Sequence, residues 1–263
     1  MLRASVVAAG AVLSCALAAT ATQAAIPGYV SMAVADKARP ESDTQADADR
    51  KPAETLAFAG IKPGQQVAEL IPGGGYYTRL LSAVVGPKGK VYALPNQRRP
   101  DAAADAPDPA ARLSPITSDA HYGNVSVSPI KLADIQLPQN VDVVWTSRNY
   151  HDIHNVKDLD VGSFDKAVFN ALKPGGTFIV LDHTAAAGAG FRDTATLHRI
   201  DPEAVKQEVE GAGFKFEAQS DVLRNKDDPH TDKIFDSGIR GKTDQFILKF
   251  RKPKWVTPRG AQR

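Results

Sequence analysis

Glu69-Leu70-Ile71-Pro72-Gly73-Gly74-Gly75 is the stretch with the clearest chemical content in this 263-residue chain. An apolar run, Val67 to Leu70, carries one acid and stops at a proline and three glycines; helical spacing resumes over Tyr76 to Val85. That order predicts strand, tight turn and helix of one βαβ unit. The glycines let the backbone approach a ligand, and the next helix offers its free N–H groups to a carboxylate or phosphate. Glu69 suits a cation or a hydroxyl. A ligand with both an amino group and a carboxylate would satisfy the acid and the turn together, and S-adenosylmethionine carries both on its methionine moiety.

The second group with chemical potential is histidine-rich. Asn149-Tyr150-His151-Asp152-Ile153-His154 directly follows an apolar strand, Val141 to Thr146, and Asp182-His183 ends another, Thr177 to Leu181. Ligands in open α/β sheets bind at the carboxyl ends of strands. His151 and His183 are therefore the candidate catalytic residues, as proton acceptors from a hydroxyl or phenol. His198 and Arg199 precede a helix capped by Asp201-Pro202 and are read as part of a lid over the acceptor, with Arg199 pairing an acidic group. Tyr76 and Tyr150 complete the candidate substrate contacts. His151-x-x-His154, with Asp152, His183, His198 and His230, also offers imidazole and carboxylate ligands for zinc, copper or nickel. This spacing in a loop lacks the cysteines and helical context of a strong metal motif, so metal binding is one alternative reading, a non-catalytic ligand-binding domain is another, and no residue is assigned to a metal.

These residues need an α/β frame. The pattern predicts strands at 67–70, 90–94, 125–130, 141–146 and 177–181, helices at 76–85 and 164–172, and two late strands, 214–222 and 243–250, forming an antiparallel closing hairpin. Residues 95–120, rich in Pro, Ala and Asp, read as an irregular insertion. Met1-Leu2-Arg3 and an Ala-rich run up to Ala24-Ala25 read as a secretory signal peptide over 1–25, which takes the only cysteine, Cys15, with it. Residues 26–50 read as a polar lead-in without packed structure, 51–252 as one domain, and 253–263 as a basic tail. With 32 basic and 30 acidic residues the charge gives no reason to expect a nucleic-acid partner. No integral membrane segment is expected after signal cleavage, and the oligomeric state stays open.

The series resembles the class I S-adenosylmethionine-dependent methyltransferases from about Lys51 to Lys252. The matching pieces are Glu69 to Gly75, Gly89-Lys90-Val91-Tyr92-Ala93, Asp134 before the fourth strand, and Leu172-Lys173-Pro174-Gly175-Gly176-Thr177. Pro72-Gly73-Gly74-Gly75-Tyr76-Tyr77-Thr78-Arg79 resembles, more narrowly, a branch of predicted exported bacterial methyltransferases. The resemblance implies a Rossmann-like, doubly wound, seven-stranded sheet, mostly parallel with an antiparallel last strand. It implies S-adenosylmethionine as cofactor, held at its methionine part by Glu69, Pro72, Gly73, Gly74 and Gly75, and at the adenine amino group by Asp134. Two positions depart from the family pattern. Ile71 replaces the first glycine of the loop, and strand two ends in Ala93-Leu94-Pro95-Asn96 without the usual ribose-binding acid, leaving Asn96 to supply neutral hydrogen bonds. The implied activity is methyl transfer to a small-molecule acceptor in the periplasm or outside the cell.

Overall fold

The computed structural model describes residues 25–98, 103 and 105–254. The signal sequence before Ala25, Cys15 within it, and the tail beyond Lys254 lie outside the described residues. Three short helices open the described residues, α1 (Gly28–Val34), α2 (Glu41–Gln45) and α3 (Asp47–Arg50), followed by α4 (Pro52–Ala59). The alternating core comes next: β1 (Gln66–Leu70), α5 (Tyr76–Val85) and β2 (Lys90–Leu94). Two short helical turns, Pro109–Leu113 and α6 (Ser114–Thr117), then lead to β3 (Val125–Val127). The second half is β4 (Val141–Ser147), α7 (Tyr150–Ile153), α8 (Val161–Ala171), β5 (Leu172–His183), α9 (Pro202–Gly211), β6 (Lys215–Ser220) and β7 (Gln245–Arg251).

The seven strands form one sheet in the order β3-β2-β1-β4-β5-β7-β6. All neighbours are parallel except β7, which runs antiparallel to both β5 and β6. The period of two along each strand divides the core. Val67, Val91, Val143, Trp145, Ile179 and Ile247 face α1, α4 and α5. Ala68, Leu94, Val144, Phe178, Val180 and Leu248 face α8 and α9. With helices on both faces the inner strands are mostly apolar, hence runs such as Val143-Val144-Trp145. The order of strand addition reverses between the parallel neighbours β1 and β4, and the carboxyl ends of these two strands bound the crevice where ligands bind in such sheets.

Two expectations change. The fifth strand begins at Leu172 and not Thr177, because Gly175 and Gly176 exchange backbone hydrogen bonds of 2.9 Å with Lys252 just past the end of β7. The lead-in is packed. Val30 and Ala33 of α1 are buried against the α4/α5 layer. Asp43 holds Arg79 of α5 at 3.0 Å, and Asp47 receives both Arg39 and the Tyr76 hydroxyl, at 2.6 and 2.7 Å.

Candidate active site

β1 delivers the glycine turn. Ile71 adopts φ 50°, a left-handed conformation that costs an L-residue about 1–2 kcal/mol and explains why glycine suits this position. Gly73 and Gly74 are exposed, and a Cβ built on either meets nothing within 4 Å, so the outer face of the turn is open. Gly75 is different: its Cβ would lie 2.2 Å from Ile116 Cδ1, because the 109–117 turns close over the start of α5. The turn is braced from below, where Arg79 donates to the Gly74 carbonyl at 3.2 Å and also holds Asp43.

Glu69 does not stand free at the ligand edge. It is buried beneath α5, and the Thr78 hydroxyl donates to its Oε2 at 2.5 Å. Burial raises its pKa to about 8, against the opposing effects of Thr78 and Arg79, so the carboxyl is largely neutral near pH 7. Asn96 lies partly buried at the edge of a cavity of about 470 Å³ bounded also by Ile130, Leu132, Val156 and Leu159. Its Oδ1 is buried with no hydrogen-bond partner, an acceptor looking for a donor. Asp134 sits close by in an exposed turn, where the Gln136 side chain donates to it, and shares the lining residues Gln97, Ile130 and Lys131 with that cavity's neighbourhood.

β4 and β5 deliver the second half. A cavity of about 390 Å³ opens at their carboxyl ends, lined by Arg50, Arg148, His151, Asp152, His183 and Arg240 among others. A larger cavity of about 800 Å³ lies against Tyr29, Met32, Lys90 and Asn124, beside the C-terminal end of α5, and its Asp36 and His121 are paired with each other at 2.7 Å. The smaller cavity holds the chemistry. His151 donates from Nδ1 to Asp182 Oδ1 at 2.8 Å, and its backbone N–H donates to Asp182 Oδ2 at 2.7 Å. Its Nε2 lies 3.3 Å from Asp152 Oδ1, and His198 Nδ1 lies 3.3 Å from that same oxygen. Burial opposes the charge on His151, yet Asp182 and Asp152 outweigh it and raise the pKa to about 10. His183 shows the reverse. Burial, reinforced by Arg148, His151 and Arg199, takes its pKa down to about 3 despite Asp182, and its Nδ1 meets Thr243 Oγ1 at 2.7 Å. At neutral pH the first imidazole is the doubly protonated cation and the second is neutral with a single N–H, so His151 is not a resting proton acceptor.

Asn149 ties the two halves together. Its Nδ2 donates to the carbonyls of Ile71 and Ser147 at 3.1 and 3.0 Å, joining the end of β1 to the end of β4, while the Thr146 hydroxyl donates to its Oδ1.

Several expected site residues point elsewhere. Tyr150 is wholly buried on the α8/α9 side, with its hydroxyl 2.9 Å from both Asp165 and Glu208. Tyr76 is buried under the lead-in helices, bonded to Asp47 with the Arg50 guanidinium 4.2 Å from its ring centre. Arg199 is fully buried in a two-pronged pair with Asp228, 2.8 and 3.1 Å, and donates to the Thr184 and Asp232 carbonyls, so it cannot pair an acceptor. His154 stacks on Phe191 at 4.2 Å and His230 bonds Asp244 at 2.9 Å, both outside the His151 cluster. His198 does join the cluster. The sequence reading missed Arg148, whose Nη2 is buried without a hydrogen-bond partner while Nε donates to Gln245 at 2.9 Å. Its place one residue past β4 was the available signal.

Strand order, the antiparallel β7 and the glycine turn after β1 define the fold class: the Rossmann-like sheet of class I S-adenosylmethionine-dependent methyltransferases. A SAM-dependent methyltransferase from Aquifex aeolicus superposes with a TM-score of 0.58 at 20% identity, covering 82% of this chain and 95% of that one. The [4+2]-cyclase SpnF superposes with a TM-score of 0.54 at 15% identity, covering 81% of each chain. In sequence, the chain is similar to the ubiquinone/menaquinone biosynthesis C-methyltransferase UbiE of Vibrio vulnificus, 30% identical over 129 residues, which is 49% of this chain and 45% of that protein. The chain matches less than half the length of such curated relatives. No protein-family model matches it.

Proposed function

We propose that this protein transfers a methyl group from S-adenosylmethionine to a small molecule bearing an acidic group, outside the cytoplasm. The observation that carries the reading is the open outer face of Gly73 and Gly74 at the end of β1, tied through Asn149 to the His151 cavity at the end of β4. The residues present fit the cofactor: the turn leaves room for its carboxylate, and the orphaned Asn96 Oδ1 offers an acceptor for a ribose hydroxyl. Bound, the cofactor supplies a methyl group on a sulfonium, an electrophile that asks mainly for alignment. A cyclase among the structural neighbours shows why fold alone does not decide the reaction.

The chain's own residues position the acceptor. Arg50, Arg148 and Arg240 line the acceptor cavity, and the unpartnered Arg148 Nη2 is available to an oxyanion. A cationic wall favours the ionised form of an acidic hydroxyl, so such an acceptor arrives as the nucleophile and needs no strong base. Placement outside the cytoplasm rests on the signal-like residues 1–25 and is tested by N-terminal sequencing of exported material, where an intact Met1 refutes it.

Donor binding tests the reading directly. S-adenosylmethionine at a hundred times its dissociation constant should stabilise the fold by about 2.7 kcal/mol and raise Tm by several degrees. Gly74→Asp has steric room, since no atom lies within 4 Å of its Cβ, but sets a carboxylate against that of the ligand. It should fold and lose the shift. Absence of calorimetric heat at millimolar cofactor, or undiminished binding by the variant, refutes the proposal.

A further inference from the structure

The His151, Asp152 and His198 cluster has a geometry that methyl transfer alone does not call for. One ligand-type atom from each residue lies within 4.8 Å of those of the other two, and Asp152 Oδ1 stands 3.3 Å from both His151 Nε2 and His198 Nδ1. Bonds of about 2.0–2.1 Å to a tetrahedral zinc ion place neighbouring ligand atoms about 3.3 Å apart. We propose that these three side chains bind one divalent transition-metal ion, zinc in first preference, leaving a coordination position open to the acceptor cavity.

The surroundings are those of a supported metal ligand. His151 keeps its Nδ1 proton on Asp182 and turns Nε2 toward the cluster, so the proton displaced by an incoming ion is the one on Nε2; this is the carboxylate–histidine arrangement that orients metal-bound imidazoles. Asp182 is itself held by the backbone N–H groups of His151 and His183, at 2.7 and 2.8 Å. His198 stands at φ 56°, its ring 4.9 Å from Phe235 and 5.4 Å from His151, with the buried Arg199–Asp228 pair anchoring the next residue. Two imidazoles and one carboxylate favour zinc and its transition-metal neighbours over magnesium or calcium, which prefer all-oxygen sites. The cluster and Asp182 together bring two carboxylates, matching the charge of a divalent ion. Because His151 and Asp152 line the acceptor cavity, an oxyanion there could take the open position.

The inference does not depend on the methyl-transfer reading, and its test contains no S-adenosylmethionine. The purified chain is stripped with chelator and titrated with zinc chloride by calorimetry. One equivalent should bind. His198→Asn, which keeps a side chain tolerant of positive φ, and Asp152→Asn should each weaken binding about 100-fold or more, and Asp182→Asn about 10–100-fold. His230→Ala should leave the affinity unchanged. Circular dichroism confirms that each variant is folded. Failure of the parent to take up zinc overturns the proposal, as does uptake undiminished in both His198→Asn and Asp152→Asn. Loss of zinc binding on His230→Ala moves the ion elsewhere and overturns it too.

Discussion

Replacing Glu69 with glutamine should make the protein more stable at mildly alkaline pH. The carboxyl is buried with its pKa raised to about 8, compared with 4.5 for an ordinary glutamate. Between those values the folded state keeps a proton that the unfolded chain releases, so stability falls as pH rises from about 4.5 to 8 and stays low above it. A gap of about 3.5 pKa units at 1.36 kcal/mol each costs about 4–5 kcal/mol above pH 8, and about 3 kcal/mol near pH 7. Glutamine keeps the shape and an oxygen for the Thr78 hydroxyl while carrying no charge to bury. Urea denaturation at pH 5, 7 and 8.5 should therefore show the variant near the parent at pH 5 and more stable by several kcal/mol at pH 8.5. The same variant tests donor recognition, because a neutral, Thr78-bonded carboxyl contributes little charge to an ammonium group. Its S-adenosylmethionine affinity should fall less than tenfold. A variant less stable than the parent at pH 8.5, or parallel pH profiles for the two proteins, refutes the account of Glu69.

Three further substitutions test the frame. Gly75→Ala places a methyl 2.2 Å from Ile116 Cδ1 at φ 83° and should cost about 2–4 kcal/mol, whereas Gly74→Ala, with open space, should stay within about 1 kcal/mol; thermal melts of the pair check the contrast. Arg199→Ala leaves Asp228 buried without its guanidinium partner and should lower the unfolding free energy by about 3–5 kcal/mol in urea titrations.

The frame was legible because its signals are local. Val67 to Leu70, Val91 to Leu94 and Val141 to Thr146 are apolar runs closed by glycine, proline or polar residues, and each became a strand within a residue or two. His151, Asp152 and His183 were found because strand ends place residues at the ligand edge. Side-chain direction was not legible. Tyr150 and His151 are neighbours in one turn, yet one hydroxyl runs back to Asp165 and the other ring turns out to Asp182, a choice made by partners 15 and 31 residues away. Arg199 went astray similarly, since its partner Asp228 sits in the long loop between β6 and β7. The lead-in helices, of 7, 5 and 4 residues, are too short to be stable by propensity and form through distant ion pairs such as Asp43 with Arg79.

Those ion pairs set the limits of the smallest autonomous unit. The αβ repeat begins at α4, and a chain trimmed to start there would keep every strand of the sheet. It would also strip Asp43 from the buried Arg79 guanidinium, Asp47 from the Tyr76 hydroxyl, and the α1 cover from Leu80 and Val84. Stranding a single buried charge costs about 3–5 kcal/mol, a large part of the margin by which a domain stays folded. The glycine turn would suffer first, because the Arg79 that steadies its Gly74 carbonyl depends on an acid 36 residues upstream. Self-sufficiency here belongs to the sheet and its N-terminal brace jointly, and a boundary drawn at the first repeat divides one cooperative body.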